Sequence, residues 1–533
     1  MKLRTNMRIA LLIISGCTVL LFGACTKNFE SYNKDPNGIT DEQLQADFNS
    51  IGAFFPDIQN SVYPSNGANT ISADVVEIIS CGSWGGYFMV TLPGVWNPNY
   101  FLFAGWEPYS FFGVGYNSIM SPINEIKRRG AETLAPDFWA VAQILRVAGM
   151  HKVTDIYGPA PYSQFGTGGT SVAYDSQPDL YNAFFTELDG AVATLVQYVA
   201  GHPGATPFKK FDRIYNGDYT KWIRYANSLR LRLAMRIVKA DPERARTEAE
   251  KSLDPSGGGV FTGSSDNAYV SGGLNTVYVS CREWRDGIAG AAIISYMNGY
   301  NDPRREKYFE TSTIIPGEYV GVRVGSDIKA QADYLPFSNV SATAFSRTSP
   351  MQLMNAAEVY FLRAEGALRG WEMGGTAQDL YEDGIRASFE QWGLTAEAAA
   401  YIGDNVSMPD DYADPVTPAN NIAALSDITI RWDESAGNEE KLERIITQQW
   451  IANFGSGTEA WSTFRRTGYP KLFPVVVNNS GGTISTEIQI RRMNYPGSEY
   501  VTNEAEVQKG VTLLGGPDHG GTRLWWDVAG PNF

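Results

Sequence analysis

Histidine and cysteine are scarce in this chain of 533 residues, which contains three histidines and four cysteines. The histidines, His151, His202 and His519, have neither the spacing of metal ligands nor a nucleophile motif beside them. A P-loop, a dinucleotide-binding fingerprint and an HExxH zinc motif are also absent from the sequence. These absences argue against histidine-led catalysis. They do not exclude a glycoside hydrolase, because two catalytic carboxylates far apart in the sequence leave no local signal.

Basic residues are outnumbered, with 43 Lys and Arg against 58 Asp and Glu, which gives a formal charge of −15 at pH 7. This charge disfavours nucleic acids and anionic membrane surfaces as partners. Aromatic residues make up 13% of the chain and charged residues 19%, a balance typical of a folded protein. The length suits several average domains or one large helical domain with insertions.

The long apolar run near the N-terminus predicts a secretory signal. MKLRTNMR is basic, and IALLIISGCTVLLF is too short for an ordinary membrane-spanning helix. Cys25 follows a Gly-Ala pair, which resembles a bacterial lipobox, so we expect removal of residues 1–24 and lipidation of Cys25. Cys17, an ordinary signal peptide and an uncleaved anchor are alternatives. The remaining Cys81 and Cys281 either form one disulfide or are two buried thiols.

The strongest helix prediction covers Asp218–Lys239, where Asp218 can cap the helix and Pro242 follows its end. Its apolar residues form two stripes on roughly opposite sides, so other elements must cover it from both sides. Basic residues lie between the stripes: Arg230, Arg232, Arg236 and Lys239. For the arginines we expect internal ion pairs with neighbouring helices in preference to recognition of an anion.

Other helices are predicted at 137–157, before a Gly-Pro break, and at 178–198 and 440–454. The segments 356–371 and 377–392 predict a helical hairpin that resembles a tetratricopeptide (TPR) unit. Glycine- and serine-rich insertions separate these helices, and short strands are predicted at 258–263, 319–325 and 483–492. The predicted fold is mostly α, a TPR-like helical superhelix with large irregular loop insertions and a few short strands.

The segment Trp84–Phe112, here called the aromatic loop, has neither sustained helical spacing nor clean alternation, and glycines and prolines interrupt it. Aromatic faces with a polar edge suit stacking on sugar rings or gripping a peptide. The candidate ligand-binding residues are Trp84, Tyr87, Trp96, Tyr100, Trp106 and Tyr109. The alternative is that these rings pack the loop onto helices beneath it.

The stretch 33–44 resembles a calcium loop, but it has Leu44 where the twelfth position requires glutamate, and Pro36 interrupts it. A turn followed by a capped helix explains this stretch better. We therefore predict no metal site and no cofactor.

Several motifs in this order resemble the SusD/RagB family of outer membrane nutrient-binding lipoproteins of Bacteroidota, particularly its second SusD-like branch. They are NKDPNG at 33–38, HKVTDIYGPAPYS at 151–163, YDSQPDLY at 174–181, KWIRYANSLRLRLAMRI at 221–237, NDPRREKYF at 301–309, AAEVYFLRAEGALRGW at 356–371, WSTFRRTGYPKLFP at 461–474, RRMNYP at 491–496 and TRLWW at 522–526. The resemblance spans nearly the whole chain.

The resemblance implies one SusD-like domain over residues 25–533, lipid-anchored to the outer membrane and exposed at the cell surface. It further implies a protein that is not an enzyme, lies over a SusC-like TonB-dependent transporter and captures nutrient for import. In this family the ligand is often a glycan and in some members a peptide. Both ligand classes therefore remain open, and a surface glycoside hydrolase is a third, less favoured reading.

Overall fold

The predicted central helix runs from Tyr219 to Arg236 in the computed structural model. The Asp218 carboxylate accepts hydrogen bonds from the main-chain N–H groups of Thr220 (2.9 Å) and Lys221 (3.3 Å), which caps the helix as expected. Both apolar stripes are buried. The helix packs mainly against Gln177–Gly201, Pro242–Ser252 and Ala356–Leu368 and also contacts Pro136–Tyr157, so both of its apolar stripes are covered.

The structure describes residues 48–63, 70–103, 105–106, 109–169 and 171–533. Ile51–Phe533 forms one compact unit, and Met1–Ser50 is grouped as another. The predicted signal segment 1–24, the predicted lipidation site Cys25 and the calcium-like stretch 33–44 lie outside the described residues.

Helices dominate the described part of the chain. The longer α-helices are Phe55–Val62, Ser121–Arg128, Pro136–Tyr157, Gln177–Gly201, Tyr219–Arg236, Pro242–Ser252, Ala291–Gly299, Ala356–Leu368, Ala377–Gln391, Asn438–Ala452, Gly457–Thr467 and Glu504–Leu514. Shorter α-helices are Asn49–Gly52, Thr70–Ala73, Cys81–Trp84, Ala131–Leu134, Thr276–Tyr278, Arg305–Tyr308, Ala398–Ile402 and Glu499–Thr502. Segments with π-helical hydrogen bonding are Asp74–Ser80, Tyr109–Met120 and Val279–Trp284.

Helices close in sequence pack against each other, which is the TPR-like arrangement that the sequence predicted. Pro136–Tyr157 packs on Gln177–Gly201, which packs on the central helix. The predicted hairpin is present as Ala356–Leu368 and Ala377–Gln391, and its first helix also packs on Asn438–Ala452. The mostly α fold class is confirmed.

The strands are short and antiparallel. Phe88–Val90 pairs with Gly287–Ala289, Ala160–Pro161 with Tyr174–Asp175, and Ala268–Val270 with Met351–Met354. The strand predictions at 258–263, 319–325 and 483–492 are wrong, although Val322 in the second segment forms an isolated bridge with Gly290. Alternation of apolar and polar residues can indicate a single strand. A β-ladder also needs a partner strand, which the local sequence does not reveal.

The arginines of the central helix meet buried carboxylates on neighbouring helices: Arg230 meets Glu248, Arg232 meets Glu358, and Arg236 meets Glu459. The Arg232 contact is bidentate, with Nε 2.6 Å from Oε1 and Nη2 2.7 Å from Oε2 of Glu358. Internal ion pairing is therefore confirmed for these arginines. The Lys239 ammonium group instead donates to the main-chain oxygen of Gly530 at 2.8 Å.

Cys81 and Cys281 are buried free thiols, which selects one of the two alternatives left open by the sequence. His151 is buried with Nδ1 3.4 Å from Oδ2 of Asp155, and burial lowers the pKa of His151, so the ring is held neutral within the core. Among the described residues, no helix is both long and apolar enough to span a membrane.

Candidate functional site

Part of the aromatic loop is built into the core. Trp84 is buried, lies 4.8 Å from Trp461 between ring centroids, and donates its Nε1–H to the main-chain oxygen of Asn97 at 3.0 Å. Tyr87 is buried and stacked on Trp450 at 5.4 Å, and its hydroxyl donates to the Trp450 main-chain oxygen at 2.5 Å. The packing alternative therefore describes these two rings.

Tyr100 is also buried, and it adopts the left-handed backbone conformation at φ 66°. Burial raises the pKa of its hydroxyl well above the usual range. The positive φ reverses the chain, so that the ring of Tyr100 points inward while the next residue, Phe101, is exposed. Tyr100 thus sets the direction of the exposed segment and presents no face to a ligand.

The rest of the loop carries a row of accessible rings, here called the ring row: Trp96, Phe101, Phe103 and Trp106. Trp96 is 46% exposed and Phe101 is 41% exposed. Ring centroids follow one another at 5.7 Å from Trp96 to Phe101, 5.4 Å from Phe101 to Phe103, and 5.2 Å from Phe103 to Trp106. These are edge-to-face or tilted aromatic contacts, so each ring supports the next. Trp96 and Phe101 are exposed to solvent, and Phe103 and Trp106 are partly exposed.

Of the six aromatic residues predicted from sequence, Trp96 and Trp106 belong to the ring row. Tyr109 is half-buried and begins the π-helical segment Tyr109–Met120, so the predicted loop ends there. Sequence reasoning missed Phe101 and Phe103, because it weighted rings with a polar edge. Their position between Trp96 and Trp106 in the same loop was the available signal.

The amide side chain of Asn99 fixes the base of the ring row. Asn99 donates its Nδ2–H groups to the main-chain oxygens of Gly325 (2.6 Å) and Val477 (3.1 Å), and its own main-chain oxygen accepts from Asn479 N at 2.7 Å. The Phe101 N–H donates to the Trp96 oxygen at 3.1 Å, which closes the turn. Buried hydrogen bonds of this kind hold the exposed rings in place before a ligand arrives.

The segment that carries the ring row is uncharged, since residues 85–106 contain no Asp, Glu, Lys or Arg. Flat apolar faces without charge fit an uncharged ligand that offers apolar faces of its own, as pyranose rings do. The carboxyl groups of Asp74 and Asp286 interact beside the start of the loop. The main-chain oxygen of Asp286 accepts a hydrogen bond from the Thr91 N–H at 3.3 Å. Burial and the Asp286 charge raise the pKa of Asp74, whose side chain is shielded from solvent.

Concave regions elsewhere among the described residues differ in their lining. A cleft of about 830 Å³ is lined by charged groups that pair with one another, such as Arg146 and Glu187 at 2.8 Å. A cavity of about 320 Å³ lies among Tyr63, Trp392 and Phe454. A third, of about 350 Å³, is strongly basic. The ring row differs from all three because its apolar surface projects outward on a fixed base.

The family model and the similar solved structures belong to the same family. The SusD-like family model, described as "Susd and RagB outer membrane lipoprotein", matches residues 31–527. A chitin-binding SusD homologue from Flavobacterium johnsoniae is 44% identical over 91% of this chain and 100% of its own, with a TM-score of 0.87. A SusD homologue from Bacteroides uniformis is 39% identical over 90% of this chain and 99% of its own, with a TM-score of 0.83. One from Bacteroides vulgatus is 36% identical over 91% of this chain and 99% of its own, with a TM-score of 0.85. Among curated proteins there is no match.

Proposed function

The chain belongs to the SusD/RagB family of outer membrane lipoproteins, and from this premise we propose that it captures an oligosaccharide on the ring row for import across the outer membrane. The observation that carries the proposal is the ring row itself, a set of exposed aromatic faces on a base fixed by buried hydrogen bonds. Such a surface binds sugars by stacking and needs no catalytic group.

The nature of the ligand follows from the chemistry of the loop and from a relative. The absence of charge over residues 85–106 favours a neutral glycan over a peptide, whose recognition depends more on main-chain hydrogen bonds and charged termini. The relative from Flavobacterium johnsoniae is described as chitin-binding and is 44% identical. Chitin is a neutral polymer of N-acetylglucosamine, so β-linked N-acetylglucosamine oligomers are the first ligands to test.

Affinity is expected to be modest. Each stacked ring contributes on the order of 1 kcal/mol beyond the area it buries, and association entropy offsets a large part of the total. A dissociation constant in the micromolar to millimolar range results. Weak, fast-exchanging binding suits a protein that hands its ligand to a channel, since tight binding would slow release.

The cellular arrangement is part of the same proposal. Lipidation at Cys25 anchors the chain to the outer membrane, with residues 26–533 at the cell surface above a SusC-like TonB-dependent transporter. Family membership supports this arrangement. Mass spectrometry of the membrane-extracted protein tests the anchor, because the mature N-terminal peptide would begin at a lipidated Cys25. An unmodified N-terminus at another residue would refute it.

The ligand is tested by titrating the purified protein with N-acetylglucosamine oligomers, other neutral oligosaccharides and unrelated peptides, with product analysis of the same samples. Saturable binding of an oligosaccharide without cleavage is the expected result. Binding of peptides alone would transfer the proposal to a peptide ligand. Cleavage of the oligosaccharide would overturn it in favour of a surface glycoside hydrolase.

A further inference from the structure

The third cavity, here called the basic pocket, concentrates positive charge in an acidic protein. It has a volume of about 350 Å³ and six basic side chains line it: Lys239, Arg465, Arg466, Lys471, Arg491 and Arg523. Of its described lining residues, Glu487 alone is acidic. Since the chain as a whole carries a formal charge of −15, this cluster opposes the overall field of the molecule. We propose that the basic pocket binds an anionic group, a carboxylate or a sulfate or phosphate ester, on a small ligand.

The carboxylates next to the basic pocket are shared among its arginines. Arg466 makes a bidentate contact with Glu365, at 2.6 Å and 2.7 Å, and Glu365 also accepts from Arg369 at 2.8 Å. Arg491 and Arg523 both contact Asp527, at 2.7 Å each. Two carboxylates thus serve three of the four arginines that line the basic pocket, together with Arg369 outside its lining, and basic side chains remain in excess among the lining residues.

Arg465 is a buried basic side chain in the lining of the basic pocket. It donates to the main-chain oxygen of Arg491 at 2.7 Å and to Ser462 Oγ at 2.9 Å, and its guanidinium lies 3.5 Å from the centroid of the Trp461 ring. The printed hydrogen-bond partners of its guanidinium within the described residues are two main-chain oxygens, of Trp461 and Arg491, and the Ser462 hydroxyl. Burial lowers the pKa of Arg465 to about 9. The charges of Asp527 and Asp155 oppose this shift only in part, so a bound anion would reduce the remaining penalty of burying the cation.

Lys239 and Lys471 supply charge that a ligand can reach. The Lys239 ammonium group donates to the Gly530 main-chain oxygen, and burial together with Arg466 lowers its pKa. The Lys471 side chain is 46% exposed and lies 3.8 Å from Glu443, at the outer limit of an ion pair. Both ammonium groups can turn toward an anion without breaking a close ion pair.

The basic pocket is separate from the ring row in chemistry, because residues 85–106 carry no charge. It is contiguous with the base of the aromatic loop, since Leu472 and Gln489 line both the basic pocket and the small gap beneath Trp84 and Tyr100. Its volume accommodates a ligand of about the size of one sugar ring. Because the two surfaces differ in chemistry, anion binding by the basic pocket can be tested separately from glycan capture by the ring row.

The test uses isothermal titration calorimetry of the full chain in detergent, with sulfate, phosphate, acetate and glucuronate as probes at constant ionic strength set by chloride. Saturable binding of at least one probe is expected. At equal probe concentration, a probe that binds more tightly should raise the midpoint of thermal unfolding further, with the logarithm of its affinity. Tighter binding of glucuronate than of acetate assigns an anionic sugar, and tighter binding of sulfate or phosphate assigns an ester group.

The variants K239Q and K471Q each remove one reachable charge, and we expect affinity for the preferred probe to fall about fivefold to tenfold in each. The matched control is K329Q, because the Lys329 side chain is 80% exposed and its charge does not line the basic pocket. Unchanged affinity in both pocket variants, or an equal loss in K329Q, would overturn the proposal. So would the absence of saturable binding by every probe.

Discussion

Replacement of Trp96 by alanine tests the role of the ring row most directly. A tryptophan side chain presents up to about 250 Å² of surface, and 46% of this residue is exposed. A sugar lying on the open face and covering half of that area removes about 60 Å² from water, worth about 1.5 kcal/mol at 25 cal/mol/Å². We therefore expect the dissociation constant for an oligosaccharide to rise about tenfold in W96A.

The same substitution is expected to leave folding nearly unchanged. The Trp96 ring contacts Phe101 edge-to-face, a contact worth about 1 kcal/mol, and the turn hydrogen bond from Phe101 N uses the Trp96 main chain, which alanine retains. The assay is a calorimetric titration paired with a thermal unfolding curve of the same sample. The midpoint should move by no more than a few degrees.

A matched control removes an exposed aromatic ring elsewhere. Phe533 is 45% exposed and lies under Arg369 at 4.6 Å, away from the aromatic loop in sequence. F533A should bind the oligosaccharide as the unmodified protein does. Equal affinity in W96A and the unmodified protein, with W106A also unchanged, would refute the assignment of ligand binding to the ring row.

Three further predictions concern the core. W84A should lower the free energy of unfolding by about 3–5 kcal/mol, because Trp84 is buried against Trp461, and an unchanged unfolding curve would contradict its core placement. Although burial alone would raise the pKa of Glu365, Arg466 and then Arg369 lower it from 4.5 to about 2, so this carboxylate stabilises the fold by about 3 kcal/mol above pH 4.5. That contribution should be lost as the pH falls from 4.5 toward 2, and E365Q should flatten the unfolding free energy over this window; an identical pH dependence in E365Q would contradict it. Cys81 should resist alkylation until the protein unfolds, because burial raises the pKa of its thiol, and rapid modification of the native protein, read by peptide mass mapping, would contradict this.

The helical part of the fold was predictable because its signals are local. The cap at Asp218 and the two apolar stripes of the central helix are contained within about twenty residues, and the structure reproduces both. The hairpin of Ala356–Leu368 and Ala377–Gln391 was predictable for the same reason. Helix Gly457–Thr467 was not predicted, although it supplies Trp461 and Arg465 to the core and the basic pocket.

The orientation of each aromatic ring was not predictable from the sequence. Trp84 and Trp96 belong to the same predicted loop, but Trp84 ends the helix Cys81–Trp84 and is buried because Trp461, far away in sequence, packs against it. Tyr87 is buried for a similar reason, through Trp450. Burial of a loop residue depends on partners brought together by the whole fold. The basic pocket likewise gathers residues from separate stretches between Lys239 and Arg523.

The fixed base and open tip of the aromatic loop separate two kinds of mutational sensitivity. Changes at Asn99 remove hydrogen bonds to Gly325 and Val477 and therefore disturb the scaffold. Under the proposed role of the ring row, changes at the exposed Trp96 and Phe101 are expected to alter ligand recognition while the scaffold keeps its shape. The tip can therefore acquire a new ligand by single substitutions, without a compensating change in the core. A library randomised at the four positions of the ring row would consist largely of folded proteins with different specificities.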